Sequence, residues 1–109
     1  MENNMENNRK GDLAEVQATA WLWQRGYEVF RNMGCTGKID IVAVKKDEIL
    51  LIDDKSASAR FDNGVQCLGA STITKESKKR GIRKLFVYNN HVSFSLMELE
   101  KYMNPMGTA

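Results

Sequence analysis

Two short apolar runs at the middle of the chain, 39–44 and 49–52, flank the polar segment Lys45-Lys46-Asp47-Glu48. That layout predicts two strands, Ile39 to Val44 and Ile49 to Lys55, joined as an antiparallel hairpin. Upstream, Ala14, Ala18, Ala20 and Leu22 predict a helix from Lys10 to about Arg25, stopped by Gly26, and Tyr27 to Arg31 reads as a first strand. Gly34-Cys35-Thr36-Gly37 reads as a flexible turn. Downstream, 56–69 is polar and irregular, with a turn at Asn63-Gly64 and a short strand at Val65 to Leu68. Thr72 or Thr74 is placed to cap a helix running to about Arg80 and ending at Gly81; Lys84 to Tyr88 then returns as a strand. After a turn at Asn89-Asn90 come a short strand, Val92 to Ser95, and a closing helix, Leu96 to Tyr102. The sum is an α/β domain with a mixed sheet over 9–104, between a polar, frayed tail at 1–8 and a second tail at 105–109.

Charge interrupts this pattern where a sheet normally buries hydrocarbon. Asp40 sits inside the first apolar run, and Asp53, Asp54 and Lys55 close the second. A carboxylate removed from water without a partner costs several kcal/mol or is neutralised by a raised pKa. Two neighbouring strands with such groups call for a cation between them. Period-2 alternation sets Ile49, Leu51, Asp53 and Lys55 on one strand face, so Asp53 and Lys55 are neighbours, and sends Asp54 to the other face with Leu50 and Ile52. On the first helix Glu15 shares a face with Ala18, Thr19 and Leu22, which points its carboxylate along a mostly buried stripe. The succession Trp21-Leu22-Trp23 makes that helix apolar on more than one side, to be covered by the sheet and by a second subunit.

Glu15, Asp40 and Asp53 converge if the helix packs across the two strands. Three carboxylates suffice for a hard divalent ion such as Mg²⁺. Lys55, beside Asp53, is then placed to orient or deprotonate water, or to hold charge developing on a phosphate.

Composition narrows the setting. A chain of 109 residues with 42% apolar content fits one modest core. No apolar stretch approaches the roughly 20 residues of a membrane span, and MENNMENN lacks the layout of a secretion signal, so a cytoplasmic protein without a membrane partner is expected. Cys35 and Cys67 are too few for a disulfide scaffold and read as reduced thiols. Between Lys75 and Lys84, six basic residues (Lys75, Lys78, Lys79, Arg80, Arg83, Lys84) stand against one acid, Glu76, in a chain of net charge +2. That asymmetry suits phosphate binding. With few aromatics near this patch, stacking of single-stranded bases is not favoured, which leaves duplex or branched DNA.

The string Arg9-Lys10-Gly11 with Ala14-Glu15, Gly26-Tyr27, Ile39-Asp40-Ile41-Val42-Ala43 and Leu50-Leu51-Ile52-Asp53-Asp54-Lys55-Ser56 resembles the PD-(D/E)xK nuclease superfamily, and within it the archaeal-type Holliday junction resolvases. The resemblance covers about residues 9 to 56. It implies a restriction-endonuclease-like mixed sheet flanked by helices, with Glu15, Asp40 and Asp53 as metal ligands, the Asp54 backbone carbonyl as a further one, and Lys55 as catalytic lysine. It also implies dependence on Mg²⁺, with Mn²⁺ as a substitute, and a homodimer. Arg9 and Lys10 join Lys75, Lys78, Lys79 and Arg80 as the expected DNA contacts. The chain departs from the family pattern in Ile39, where Pro usually precedes the first Asp, in Asp53, where Glu is more frequent, and in Asp54, where an apolar residue is usual.

Each feature also has a plain reading: a Lys-rich helix is often a solvated face, a lone Glu15 an ordinary surface acid, and D-x-K a charged strand end. Order and context favour the metal site. Three functions follow: an endonuclease for branched DNA, a duplex-specific homing, restriction or repair-type nuclease, and a catalytically inactive DNA-binding module. A dimeric interaction module without affinity for DNA is a further alternative.

Overall fold

The computed structural model describes residues 2–34 and 36–103, with side chains from residue 8 onward. The first helix, α1, spans Glu2–Gln24 and buries Ala14, Ala18 and Leu22, one face at intervals of four residues. It begins well before the expected start near Lys10, in the stretch expected to fray. Nothing from Glu2 to Lys10 breaks a helix, and once the docked portion has formed, each added residue gains a backbone bond without a new nucleation cost. The helix ends as its sequence dictates. Gly26 takes φ +89°, its N–H donates to the Trp23 carbonyl at 3.0 Å, and the Tyr27 N–H donates to the Leu22 carbonyl at 3.2 Å, a Schellman closure.

Strands β1 (Glu28–Arg31), β2 (Ile41–Lys45), β3 (Glu48–Ser56), β6 (Ile82–Tyr88) and β7 (His91–Ser93) form a sheet in the order β1-β2-β3-β6-β7. All neighbours are antiparallel except β3 and β6, which run parallel, so the sheet is mixed and helix-flanked as expected. Between β3 and β6 lie a separate ribbon, β4 (Ser58–Asp62) and β5 (Val65–Gly69), and the short helix α2 (Lys75–Lys79); α3 (Leu96–Glu100) closes the described chain. The 105–109 tail lies outside the described residues, as does Cys35. Cys67 is a free thiol.

β4 has no counterpart in the sequence expectation. All five of its residues are exposed, so no burial alternation marks it; it is held by pairing with β5 across the Asn63-Gly64 turn, whose residues have φ +51° and +78°. β6 starts at Ile82, two residues early, because Ile82 is buried opposite Leu51 while the charges of Arg83 and Lys84 obscure the alternation.

The core lies on one face of the sheet, where Ile41, Ala43, Leu50, Ile52, Leu85 and Val87 pack on α1. Trp21 adds an edge-to-face contact with Phe94, ring centroids 5.7 Å apart, while Trp23 stays 69% exposed. Among the described residues, no helix is long and apolar enough to cross a membrane.

Candidate active site

β2 and β3 pair from the Lys45–Glu48 end as far as Ile41 opposite Ile52, and the acidic residues begin where that ladder stops. Asp40 is pinned there by its backbone: its N–H donates to the Ile52 carbonyl at 2.8 Å, and its carbonyl accepts from the Asn32 N–H at 2.8 Å. Asn32 braces the same loop by donating its side-chain amide to the Ile39 carbonyl at 2.8 Å. The Asp40 carboxylate then reaches across to β3, where Oδ2 accepts from the Asp54 N–H at 3.0 Å.

The alternation of β3 holds through this region. Leu50 and Ile52 enter the core beneath α1, so Asp54 continues on the α1 side, while Asp53 and Lys55 continue on the other. Asp40, at the strand end, meets carboxyls from both faces. Burial first, then the Asp53 carboxyl against it and the charge of Asp54, push its carboxyl up to about 7. Asp54 is also raised, chiefly by burial, with the charges of Glu15 and Asp53 adding to the effect against a hydrogen bond from Asp40. The expectation for Asp54 thus needs correcting: its face was foreseen, but that face is the one α1 brings Glu15 to, and the side chain lies within the acidic group rather than away from it.

Cations answer these acids from elsewhere in the chain. Arg31, at the end of β1, grips Glu15 with two bonds, Nη2 to Oε2 at 2.9 Å and Nε to Oε1 at 3.2 Å. Lys84 reaches Asp53 Oδ2 at 3.1 Å from β6, directly opposite in the parallel register, and also donates to Ser71 Oγ at 3.0 Å. Lys55 stands 3.7 Å from Asp53 Oδ1. Along the sequence Lys84 is one member of a basic run, and nothing marks Arg31. Parallel pairing between segments some thirty residues apart leaves no local trace, and Arg31 differs in no way from an ordinary strand-end residue.

The site residues foreseen from the sequence therefore divide. Asp40 and Asp53 meet, with Asp54 joining them and Lys55 alongside; Glu15 stands within electrostatic reach of Asp54 but is clamped by Arg31. Among the described residues, no three Asp, Glu, His or Cys side chains are arranged to hold a metal ion as they stand. The donor chemistry nonetheless suits one. All the ligating atoms are carboxylate oxygens, Asp40 is crowded by like charge, and ammonium or guanidinium groups already neutralise Asp53 and Glu15. Of the expected DNA contacts, Lys75, Lys78, Lys79 and Arg80 are exposed on and just after α2, beside β6, and Arg9 and Lys10 are exposed on α1, Lys10 donating to Ser58 Oγ at 2.8 Å.

The archaeal Holliday junction resolvase family matches residues 6–67, a stretch that contains most of α1, the β2–β3 hairpin and all four acids. The chain belongs to that family. As a family member it carries the PD-(D/E)xK nuclease framework expected from its motifs. It is also 31% identical over 110 residues to a UPF0102 protein of Clostridioides difficile, covering 92% of this chain and 95% of the relative. A UPF0102 protein of Moorella thermoacetica is 33% identical over 87 residues, covering 77% and 68%. No solved structure matches significantly.

Proposed function

We propose that this resolvase-family chain is a Mg²⁺-dependent DNA endonuclease that hydrolyses phosphodiester bonds at branched DNA, four-way junctions foremost, as a cytoplasmic homodimer. The observation that carries the reading is the crowding of Asp40 against Asp53 and Asp54 at the strand ends, with Lys55 beside them. Carboxylates are gathered this way at a cost in repulsion, and a hard cation removes that cost. Asp40, Asp53 and Glu15, with the Asp54 carbonyl, are the groups that would hold Mg²⁺, or Mn²⁺ in its place. A bound ion supplies neutralisation of the phosphodiester and a more acidic water. Lys55, half-exposed and 3.7 Å from Asp53, is placed to orient that water or to hold charge on the phosphate. Lys84 and Arg31 hold Asp53 and Glu15 in position. The exposed cations of α2 and Arg9 and Lys10 of α1 bind the DNA backbone. A two-fold dimer matches a junction that presents two equivalent strands.

One observation favours a second reading. Glu15 and Asp53 already have cationic partners, as expected of an inactive DNA-binding module that retains its carboxylates as ion pairs. A duplex-specific nuclease of the same superfamily keeps the chemistry and changes the substrate. Cleavage of matched four-way, three-way, flap and linear substrates, in Mg²⁺ and in EDTA, by wild type and Asp40→Ala separates the three. The proposal expects Mg²⁺-dependent cutting of branched substrates that falls by at least about a hundredfold in the variant while binding persists. A linear duplex cut as well as a junction favours the runner-up; no cutting by either protein favours the inactive binder.

A further inference from the structure

The basic run at 75–84 contains no aromatic, but Phe86 follows it by two residues and the fold brings Phe94 beside it. β6 is paired with β3 from Ile82 to Val87, whereas β7 covers only Phe86 to Tyr88, so the first half of β6 keeps a free edge. Against that edge lies a cavity of about 520 Å³, within the range of natural ligand sites. Phe86, Phe94, Ile73 and Ile82 give it apolar walls; Lys78, exposed, and Lys84, mostly buried and held by Asp53 and Ser71, also line it. The guanidinium of Arg83 lies 4.0 Å over the Phe94 ring, forming a flat, charged platform. The register ties this cavity to the acidic site: Phe86 is opposite Lys55, and Lys84 is opposite Asp53 and in contact with it.

The geometry points to a pocket for an unpaired nucleobase of the DNA substrate, stacked against the aromatic walls or the Arg83 platform, with a flanking phosphate on the exposed Lys78. The assignment rests on the nuclease reading and refines its substrate to DNA with an unstacked base close to the scissile bond, as at a branch point or flap. Charge decides the occupant. A peptide strand or a second copy of the chain gains little from two exposed cations, Lys78 and Arg83, beside an apolar wall, whereas a nucleotide uses both. In intact duplex every base is stacked already and must be extruded at a cost of a few kcal/mol, so the pocket discriminates in favour of substrates where that cost is absent.

The test is equilibrium binding in EDTA, where no cutting occurs, comparing a matched duplex with the same duplex carrying one unpaired 2-aminopurine. The unpaired form is expected to bind about 5- to 100-fold more tightly, with quenching of 2-aminopurine fluorescence as it stacks. Phe86→Leu and Ile73→Glu should each reduce that preference to about twofold or less; Ile73 lies at the surface, so its variant serves if Phe86→Leu fails to fold. Equal affinity of wild type for both DNAs, or an undiminished preference in Ile73→Glu, overturns the pocket and leaves the nuclease reading intact. An altered oligomeric state of Ile73→Glu with unchanged DNA binding assigns the cavity to a protein contact instead. Failure to bind either DNA overturns the pocket, and the nuclease reading is then decided separately by the four-way junction cleavage assay.

Discussion

The two ends of the β2–β3 hairpin carry comparable numbers of charged residues and treat them in opposite ways. At the turn, Lys46 and Asp47 stand in water, Glu48 accepts a hydrogen bond from the Tyr27 hydroxyl, and Lys45 donates to the Arg25 carbonyl. At the other end Asp40, Asp53 and Asp54 are half-buried and pressed together, and two of the three are harder to ionise than usual. The turn end shows what a strand does with charge when only solubility is at stake. The acidic end keeps charge where it weakens the fold, the pattern expected of a functional site.

Four changes break or sharpen that contrast. The largest effect on stability belongs to neither end but to the core between them: Ile52→Ala, at a fully buried position, should lower unfolding free energy by about 2–5 kcal/mol in denaturant titration. Next is pH. The folded Asp40 carboxyl is raised above its unfolded value of 3.8, so the folded state holds the extra proton. Stability of the metal-free protein should therefore fall as pH rises from about 4 to about 7 and level off above. The loss is on the order of 1 kcal/mol once solvent screening of a partly exposed group is allowed for. Asp40→Asn should flatten this slope in pH-dependent thermal melts in EDTA. Gly26→Ala, which forces a side chain into the left-handed region closing α1, should cost about 1 kcal/mol by the same denaturant assay. Smallest of all, Asp47→Asn at the turn should change stability by less than about 0.5 kcal/mol and leave its pH profile alone.

The contrast also shows how far sequence reading reaches. The hairpin, its antiparallel pairing and the face carrying Asp53 and Lys55 were legible because period-2 alternation is local and Leu50 and Ile52 mark the buried side. The Schellman stop at Gly26 was legible for the same reason. What was hidden depends on pairing between distant segments. Lys84 reaches Asp53 only through the parallel β3–β6 register, Arg31 reaches Glu15 only because α1 crosses the end of β1, and Phe94 approaches the basic run only in three dimensions. The ribbon strand β4 escaped because it buries nothing. Asp54 was placed on the correct face, but the occupant of that face could be known only once the helix had docked.

Divalent-ion binding to the purified chain tests the central claim most directly. Calorimetric titration of Mn²⁺ and Mg²⁺ into wild type should give saturable binding that Asp40→Asn abolishes while Asp47→Asn leaves it unchanged. Absence of binding by wild type, or equal binding by Asp40→Asn, would show that the crowded carboxylates hold no ion and that the nuclease reading of this site is wrong.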